Sequence, residues 1–152
     1  MKIALGSDHA GFELKAALLP VLAERGYEVL DLGAADGTTS VDYPDFGAAV
    51  GRAVVEGRAD AGIAICGSGV GISIAANKVP GVRAALVHDV TSARLAREHN
   101  HANVLCLGAR VIGSVVAMDA VAAWLDASEG EGRHLSRIDK ISALEQPNLK
   151  KE

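Results

Sequence analysis

Five short apolar runs, Lys2–Gly6, Glu28–Leu32, Ala61–Ile65, Arg83–Val87 and Val104–Leu107, divide this chain, each running into a turn of glycine or polar residues. Helix-length segments lie between them. Alternation of strands with helices implies parallel strands, because a helical crossover carries the chain back to the end of the sheet where the previous strand began. The pattern therefore predicts a three-layer α/β/α sandwich of Rossmann-like type around a five-stranded parallel sheet.

The helical segments have readable limits. Residues Gly11–Arg25 place Phe12, Ala16, Leu19 and Leu22 on one face and stop at Gly26, as an amphipathic helix with a glycine terminator should. Pro20 removes one hydrogen bond inside that segment and predicts a kink. Further helices are expected over Asp45–Glu56, Thr91–His99 and Ser114–Ala127, the last with Trp124 on its inner side. Ser-Glu-Gly-Glu-Gly at 128–132 reads as a polar hinge. It precedes a basic helix from Arg133 to Leu144, or 146 at most, ahead of Pro147. So small an apolar face suggests that this last helix also packs on a partner subunit, and residues 148–152 are expected to fray.

At 152 residues with 49% apolar content, one well-cored domain spanning 1–152 is expected. A net charge of -4 and only 3% aromatic residues give neither a basic footprint nor stacking platforms, which argues against nucleic acid. No run approaches the length that spans a bilayer. The strand-like start at Lys2-Ile3-Ala4-Leu5 does not read as a signal peptide. Cys66 and Cys106 stand apart with no CxxC spacing, so a reduced, cytoplasmic setting fits them better than a disulfide or a zinc site. The histidines match no metal-ligand spacing, and no metal or cofactor is expected.

Open parallel sheets bind ligands beyond the carboxyl ends of their strands. Polar groups collect there after four of the five runs: Asp8-His9, Cys66-Gly67-Ser68, His88-Asp89 and Gly108-Ala109-Arg110. Singly, each is equally well a turn residue or a helix cap; together they imply a pocket. Cys66 ends an apolar run and is followed by Gly67-Ser68-Gly69-Val70-Gly71, which opens a helix. Unpaired amides at a helix N-terminus stabilise negative charge, whether on a thiolate, a phosphate or an enediolate oxygen. Cys66 is thereby a candidate base or nucleophile. The loop is G-x-G-x-G, which is neither a dinucleotide fingerprint nor a P-loop. Arg133 and Arg137, four residues apart, project from one helix face and can grip one dianion.

These residues resemble the sugar-phosphate isomerases of the ribose-5-phosphate isomerase type B and galactose-6-phosphate isomerase group. The similarity runs through Gly6-Ser7-Asp8-His9-Ala10-Gly11-Phe12, Asp42-Tyr43-Pro44-Asp45, Cys66 to Lys78, His99-Asn100, Asn103-Val104-Leu105, Gly108-Ala109-Arg110 and Gly132-Arg133-His134. The resemblance implies strand order 2-1-3-5-4 and a homodimer, or a dimer of dimers, with active sites between subunits. It implies that Asp8, His9, Tyr43, Cys66, Arg133 and Arg137 line one side of each site, while His99, Asn100 and Arg110 come from the neighbour. Aldose and ketose phosphates, ribose 5-phosphate and ribulose 5-phosphate first among them, are the implied substrates, in a pentose phosphate pathway reaction.

Asp8 and His99 would open the sugar ring, and Cys66 would move the proton between C2 and C1. Ser68 would shuttle a proton between the oxygens, and the amides of Gly67, Gly69 and Gly71 would hold the enediolate. His9, Arg110, Arg133 and Arg137 would take the phosphate. One branch of the group replaces the cysteine by a glutamate at the position of Ile72, and isoleucine cannot take a proton, so this chain resembles the cysteine branch. Residues 33–41 vary within the group and could adjust the pocket for sugar length. The alternatives are an isomerase of a tetrose, allose or galactose phosphate, or a sugar-phosphate binder without catalysis.

Overall fold

The computed structural model describes residues 1–145. Strand β1 (Lys2–Ser7) leads into α1 (Phe12–Glu24), and the alternation continues through β2 (Glu28–Asp31), α2 (Tyr43–Val55), β3 (Ala61–Cys66) and α3 (Val70–Asn77). Then come β4 (Ala84–Leu86), α4 (Val90–Asn100), β5 (Val104–Gly108), α5 (Ser114–Asp126) and a last helix, α6 (Arg133–Ala143). All strand pairs are parallel, in the order β2-β1-β3-β5-β4. The order that the resemblance implied is the one observed.

A parallel sheet covered on both faces needs apolar side chains in both directions, and successive residues of the central strands point to opposite faces. Ile3, Leu5, Ile63, Ile65, Leu105 and Leu107 meet Leu14, Leu18, Leu22, Ala96, Val121 and Trp124 from α1, α4 and α5. Ala4, Ala64, Cys66, Val104 and Cys106 meet Val50, Ala53, Ile72 and Ala76 from α2 and α3. Full burial of a leucine or isoleucine contributes about 1.5–3 kcal/mol, so these two layers hold the sandwich together. The second face is lined by small residues, which lets α2 approach the strands closely: a Cβ added at Gly62 would stand 2.5 Å from Val50 Cγ1. Trp124 fills the first core, and its indole N–H donates to the Ala102 carbonyl at 3.1 Å, as a buried indole requires.

Two expectations need correction. Helix α1 runs through Pro20 and buries Leu14, Lys15, Leu18 and Leu22; its inner face is turned by about a quarter of a turn from the one expected, leaving Ala16 exposed and Phe12 and Leu19 at the flank. Leucines at 14, 18 and 22 form the stripe that matches the sheet, whereas Phe12 covers a neighbouring loop.

The segment 128–132 is fastened rather than hinge-like. The Gly130 N–H donates to the Glu98 carbonyl at 2.8 Å, the Gly130 carbonyl lies 2.7 Å from His101 Nε2, and Glu129 pairs with Arg97 at 3.2 Å. Helix α6 buries only Ile138, and leaves Leu135 and Ile141 exposed. The expected fraying of 148–152, and Pro147, lie outside the described residues. Among the described residues no helix is long and apolar enough to cross a membrane.

Candidate active site

Strand β3 ends on Cys66, and the chain turns through Gly67-Ser68-Gly69 into α3. Gly69, the N-cap, has φ +77°, and a Cβ there would stand 2.5 Å from Leu86 Cδ1 and 2.8 Å from the Leu107 carbonyl carbon. Only glycine combines that backbone angle with that approach. The result is that the Gly69 N–H donates to Cys66 Sγ at 3.2 Å. Beside it, Ser68 Oγ accepts the Val70 N–H at 3.2 Å while the serine itself remains exposed. The thiol is therefore held at the positive end of α3, where negative charge is favoured.

The neighbouring strand end completes this cluster. β1 and β3 are neighbours, and the chain goes on from β1 to β2 on one side and from β3 to β4 on the other, the place where an α/β sheet opens a crevice. Asp8 follows β1, its N–H donating to the Ile65 carbonyl at 3.2 Å, and its buried carboxylate accepts the Gly11 N–H at 3.0 Å. His9 accepts the Val41 N–H on Nδ1 at 3.2 Å. Tyr43 opens α2 with its ring against Gly71, where an added Cβ would come within 2.8 Å of the phenol oxygen. The Arg110 N–H donates to the Gly67 carbonyl at 2.9 Å, and its side chain lies along Gly67, with Nη1 3.6 Å from the Cβ position.

A second cluster is built on the end of α4. His99 and Asn100 are its last residues and are exposed. The His134 ring stacks on His99 with centroids 4.4 Å apart, which places the start of α6, with Arg133 and Arg137, beside them. Desolvation first, then repulsion from His99, Arg133, Arg137 and His101, holds His134 below the usual imidazole range. Arg133 and Arg137 give this end of the molecule a positive potential. The sequence pattern contained His134 but gave it no partner, because the stack joins residues 35 positions apart on two helices.

These clusters do not meet within one chain. Cys66 is in register with Gly108, the last residue of β5, whereas α4 ends just before the first residue of β5, and the Asn100 carbonyl accepts from Arg83 Nε at 3.0 Å, just ahead of β4. The length of β5, about 13 Å at strand rise, separates the two ends. Within one chain the grouping differs from the implied partition in two respects. Arg110 stands with Cys66 of its own chain, because the turn after β5 hydrogen-bonds to the glycine loop. Arg133 and Arg137 stand with His99, because segment 128–132 is fastened to α4. His88 is exposed and Asp89 caps α4 by accepting the Ser92 N–H at 2.6 Å, the plainer of the two readings of that strand end.

The other thiol, Cys106, is fully buried. Its burial, and secondarily Cys66 nearby, pushes it far above the ordinary thiol range, which leaves it inert. Among the described residues no group of three or more His, Cys, Asp or Glu side chains could hold a metal ion.

Comparison with known proteins gives the family. The model of the ribose/galactose isomerase family matches residues 3–141. A solved structure of ribose-5-phosphate isomerase B from Clostridium thermocellum superposes with a TM-score of 0.93 at 54% identity, covering 95% of this chain and 97% of that one. Ribose-5-phosphate isomerase B of Escherichia coli is 49% identical over 145 residues, 95% of this chain and 97% of that protein. The D-erythrulose-4-phosphate isomerase of Pectobacterium atrosepticum is 39% identical over 145 residues, 95% of each chain. With a strand end, a glycine loop and a cationic helix end arranged as described, and a family match along nearly its whole length, this chain belongs to the ribose/galactose isomerase family.

Proposed function

We propose that the protein interconverts an aldose phosphate and its ketose, ribose 5-phosphate and ribulose 5-phosphate in the first place, through a cis-enediolate with Cys66 as the carbon base. The observation that carries the mechanism is the Gly69 amide donating to Cys66 Sγ at 3.2 Å, at the N-terminus of α3, with the buried Asp8 following the adjacent strand β1. As thiolate, Cys66 takes the proton from C2 and returns it to C1. The glycine-loop amides stabilise the oxyanion, and the exposed Ser68 hydroxyl moves a proton between O1 and O2. Asp8 takes the anomeric hydroxyl proton while His99 protonates the ring oxygen, which opens the furanose. These residues supply every proton transfer, so the reaction calls for no metal or organic cofactor.

The mechanism needs His99 close to Asp8 and Cys66, and the sheet keeps them apart in one chain. A second copy answers this. In a homodimer, or a dimer of dimers, the α4–α6 end of one protomer caps the strand ends of the other. His99, Asn100, Arg133 and Arg137 then come from one chain, and Asp8, His9, Tyr43, Cys66, Ser68 and Arg110 from its partner. The exposed Val70 and Ile74 on α3 and Leu135 and Ile141 on α6 suit burial in such an interface. The phosphate sits among His9, Arg110, Arg133 and Arg137, and its binding energy positions the sugar. A cytoplasmic setting fits a reaction that uses a free thiolate.

A second substrate is favoured by one observation, the relative that isomerises a four-carbon ketose phosphate. Turnover compared on four-, five- and six-carbon aldose phosphates in deuterated water tests both points. Ribose 5-phosphate is expected to be the best substrate, with solvent deuterium appearing in the product. Ribose 5-phosphate as the poorest of the set would overturn the substrate choice, and turnover with deuterium incorporation undiminished in Cys66→Ala would overturn the cysteine base.

A further inference from the structure

We propose that Lys15 is a positioning residue for His9, acting through residues 31–41, which it fastens to α1. Its side chain is 3% exposed. Burying an ammonium is unfavourable unless its donors are met, and here they are met by one segment: Nζ donates to Asp31 Oδ1 at 2.7 Å and to the Ala34 carbonyl at 2.8 Å. The ammonium also stands 5.3 Å from the centre of the Phe12 ring. Residues 31–41 contain no lysine or arginine, and the cation comes from α1.

From this anchor the contacts lead step by step to His9. Asp31 Oδ1 also accepts the Gly33 N–H at 3.0 Å, so the lysine and the Gly33 amide share one carboxylate oxygen. Gly33 and Ala34 then extend the pairing of β1, the Ser7 N–H donating to Gly33 and the Ala34 N–H to Ser7, both at 2.7 Å. Beyond them Asp36 accepts the Thr38 and Thr39 amides at 2.9 and 2.7 Å, and Gly37 lies over Phe12, with Cδ1 3.2 Å from its Cβ position. The segment returns at Val41, whose N–H donates to His9 Nδ1 at 3.2 Å. An amide donor on Nδ1 leaves the neutral ring its hydrogen on Nε2. His9 is thereby fixed in the tautomer and orientation that present an N–H to an anion. Lys15 touches no reacting atom; it holds the far end of the segment that holds His9.

The kinetic part of the test rests on the isomerase reading, whereas the spectroscopic part does not. Full-length Lys15→Met and Asp31→Ala proteins are compared with the parent by two-bond nitrogen–proton correlations of the histidine rings without substrate, and by steady-state kinetics on ribose 5-phosphate. The parent should show His9 as the Nε2–H tautomer. Both variants should shift it to a mixture and raise KM by about tenfold, with kcat within about threefold, since an interaction made equally in ground and transition state is lost. Asp31 lies at the surface end of the clamp, so Asp31→Ala decides the matter if Lys15→Met does not fold. Parental His9 resonances in a folded variant would overturn the proposal. So would altered resonances with unaltered KM, or a loss confined to kcat. A parent protein that isomerises no sugar phosphate would overturn the function reading alone, and the ring resonances would still judge Lys15.

Discussion

The imidazole of His134 lies over that of His99, with centroids 4.4 Å apart and planes 13° from parallel. Two stacked rings beside Arg133 and Arg137 resist carrying charge together, and His134 is the one held below the usual imidazole value of 6.5 by desolvation and then by its cationic neighbours. The unfolded chain protonates this ring as pH falls through 6.5, and the folded chain only at lower pH. Protonation therefore favours unfolding, and stability falls as pH drops from 6.5 through the lowered value. Thermal melts of the parent should lose ground to His134→Gln over that interval and match its trend above it. Parallel curves throughout would contradict the effect of the cluster on His134.

The proposed division of the site between two chains predicts complementation. Cys66→Ala and His99→Asn proteins, each inactive alone, should regain activity after mixing, unfolding and refolding. In a random dimer population half the pairs are mixed and each mixed pair has one intact site, so about a quarter of parental activity is expected. No recovery would mean that each chain works alone or that the halves are partitioned differently.

Removal of the proposed base and of the proposed proton shuttle should differ in degree. Cys66→Ala is expected to lower kcat by ~10²–10⁴, the range for a positioned base. Ser68→Ala should leave a measurable rate, because the glycine-loop amides still face the enediolate oxygens. Near-parental turnover in Cys66→Ala would remove the sulfur from the mechanism.

The two thiols should separate in a labelling experiment at neutral pH. Iodoacetamide reacts with thiolates, and burial keeps Cys106 protonated. Mass spectrometry should find one label, on Cys66, slowed by sugar phosphate, with Cys106 modified only after denaturation. Equal labelling of both would contradict the assignment.

Gly69→Ala tests the backbone that carries an amide to the thiol. A side chain at φ +77° costs about 1–3 kcal/mol in strain, and the contact with the Leu107 carbonyl carbon at 2.8 Å adds to it. Urea unfolding should show that loss. Turnover of the folded fraction should fall as well, because the Gly69 N–H can no longer point at Sγ. Full activity in a destabilised variant would make this glycine a packing residue only.

The fold was legible because its apolar runs have the length and spacing that parallel strands impose, and the resemblance carried the strand order. The Cys66 loop was legible because glycines and a thiol at a strand end have few other uses. The inner face of α1 was misjudged because its stripe at 14, 18 and 22 shares a helix with two further apolar side chains at Phe12 and Leu19, and a single helix cannot say which set meets the sheet. Lys15 was passed over because a lysine reads as solvent-facing until Asp31 and Ala34 are placed beside it. The partition of Arg110 and Arg133 depended on Gly67 and Gly130, whose backbone contacts leave no trace in side-chain pattern.

Because thiol and cationic helix end lie at opposite ends of the strands, a sugar phosphate bound as proposed is held by side chains of two molecules at once. It then acts as a rivet. Whatever free energy the pair contributes to holding the metabolite, the metabolite must return to holding the pair. Dilution should therefore separate empty protomers before occupied ones, and scarcity of sugar phosphate would itself become a signal for disassembly.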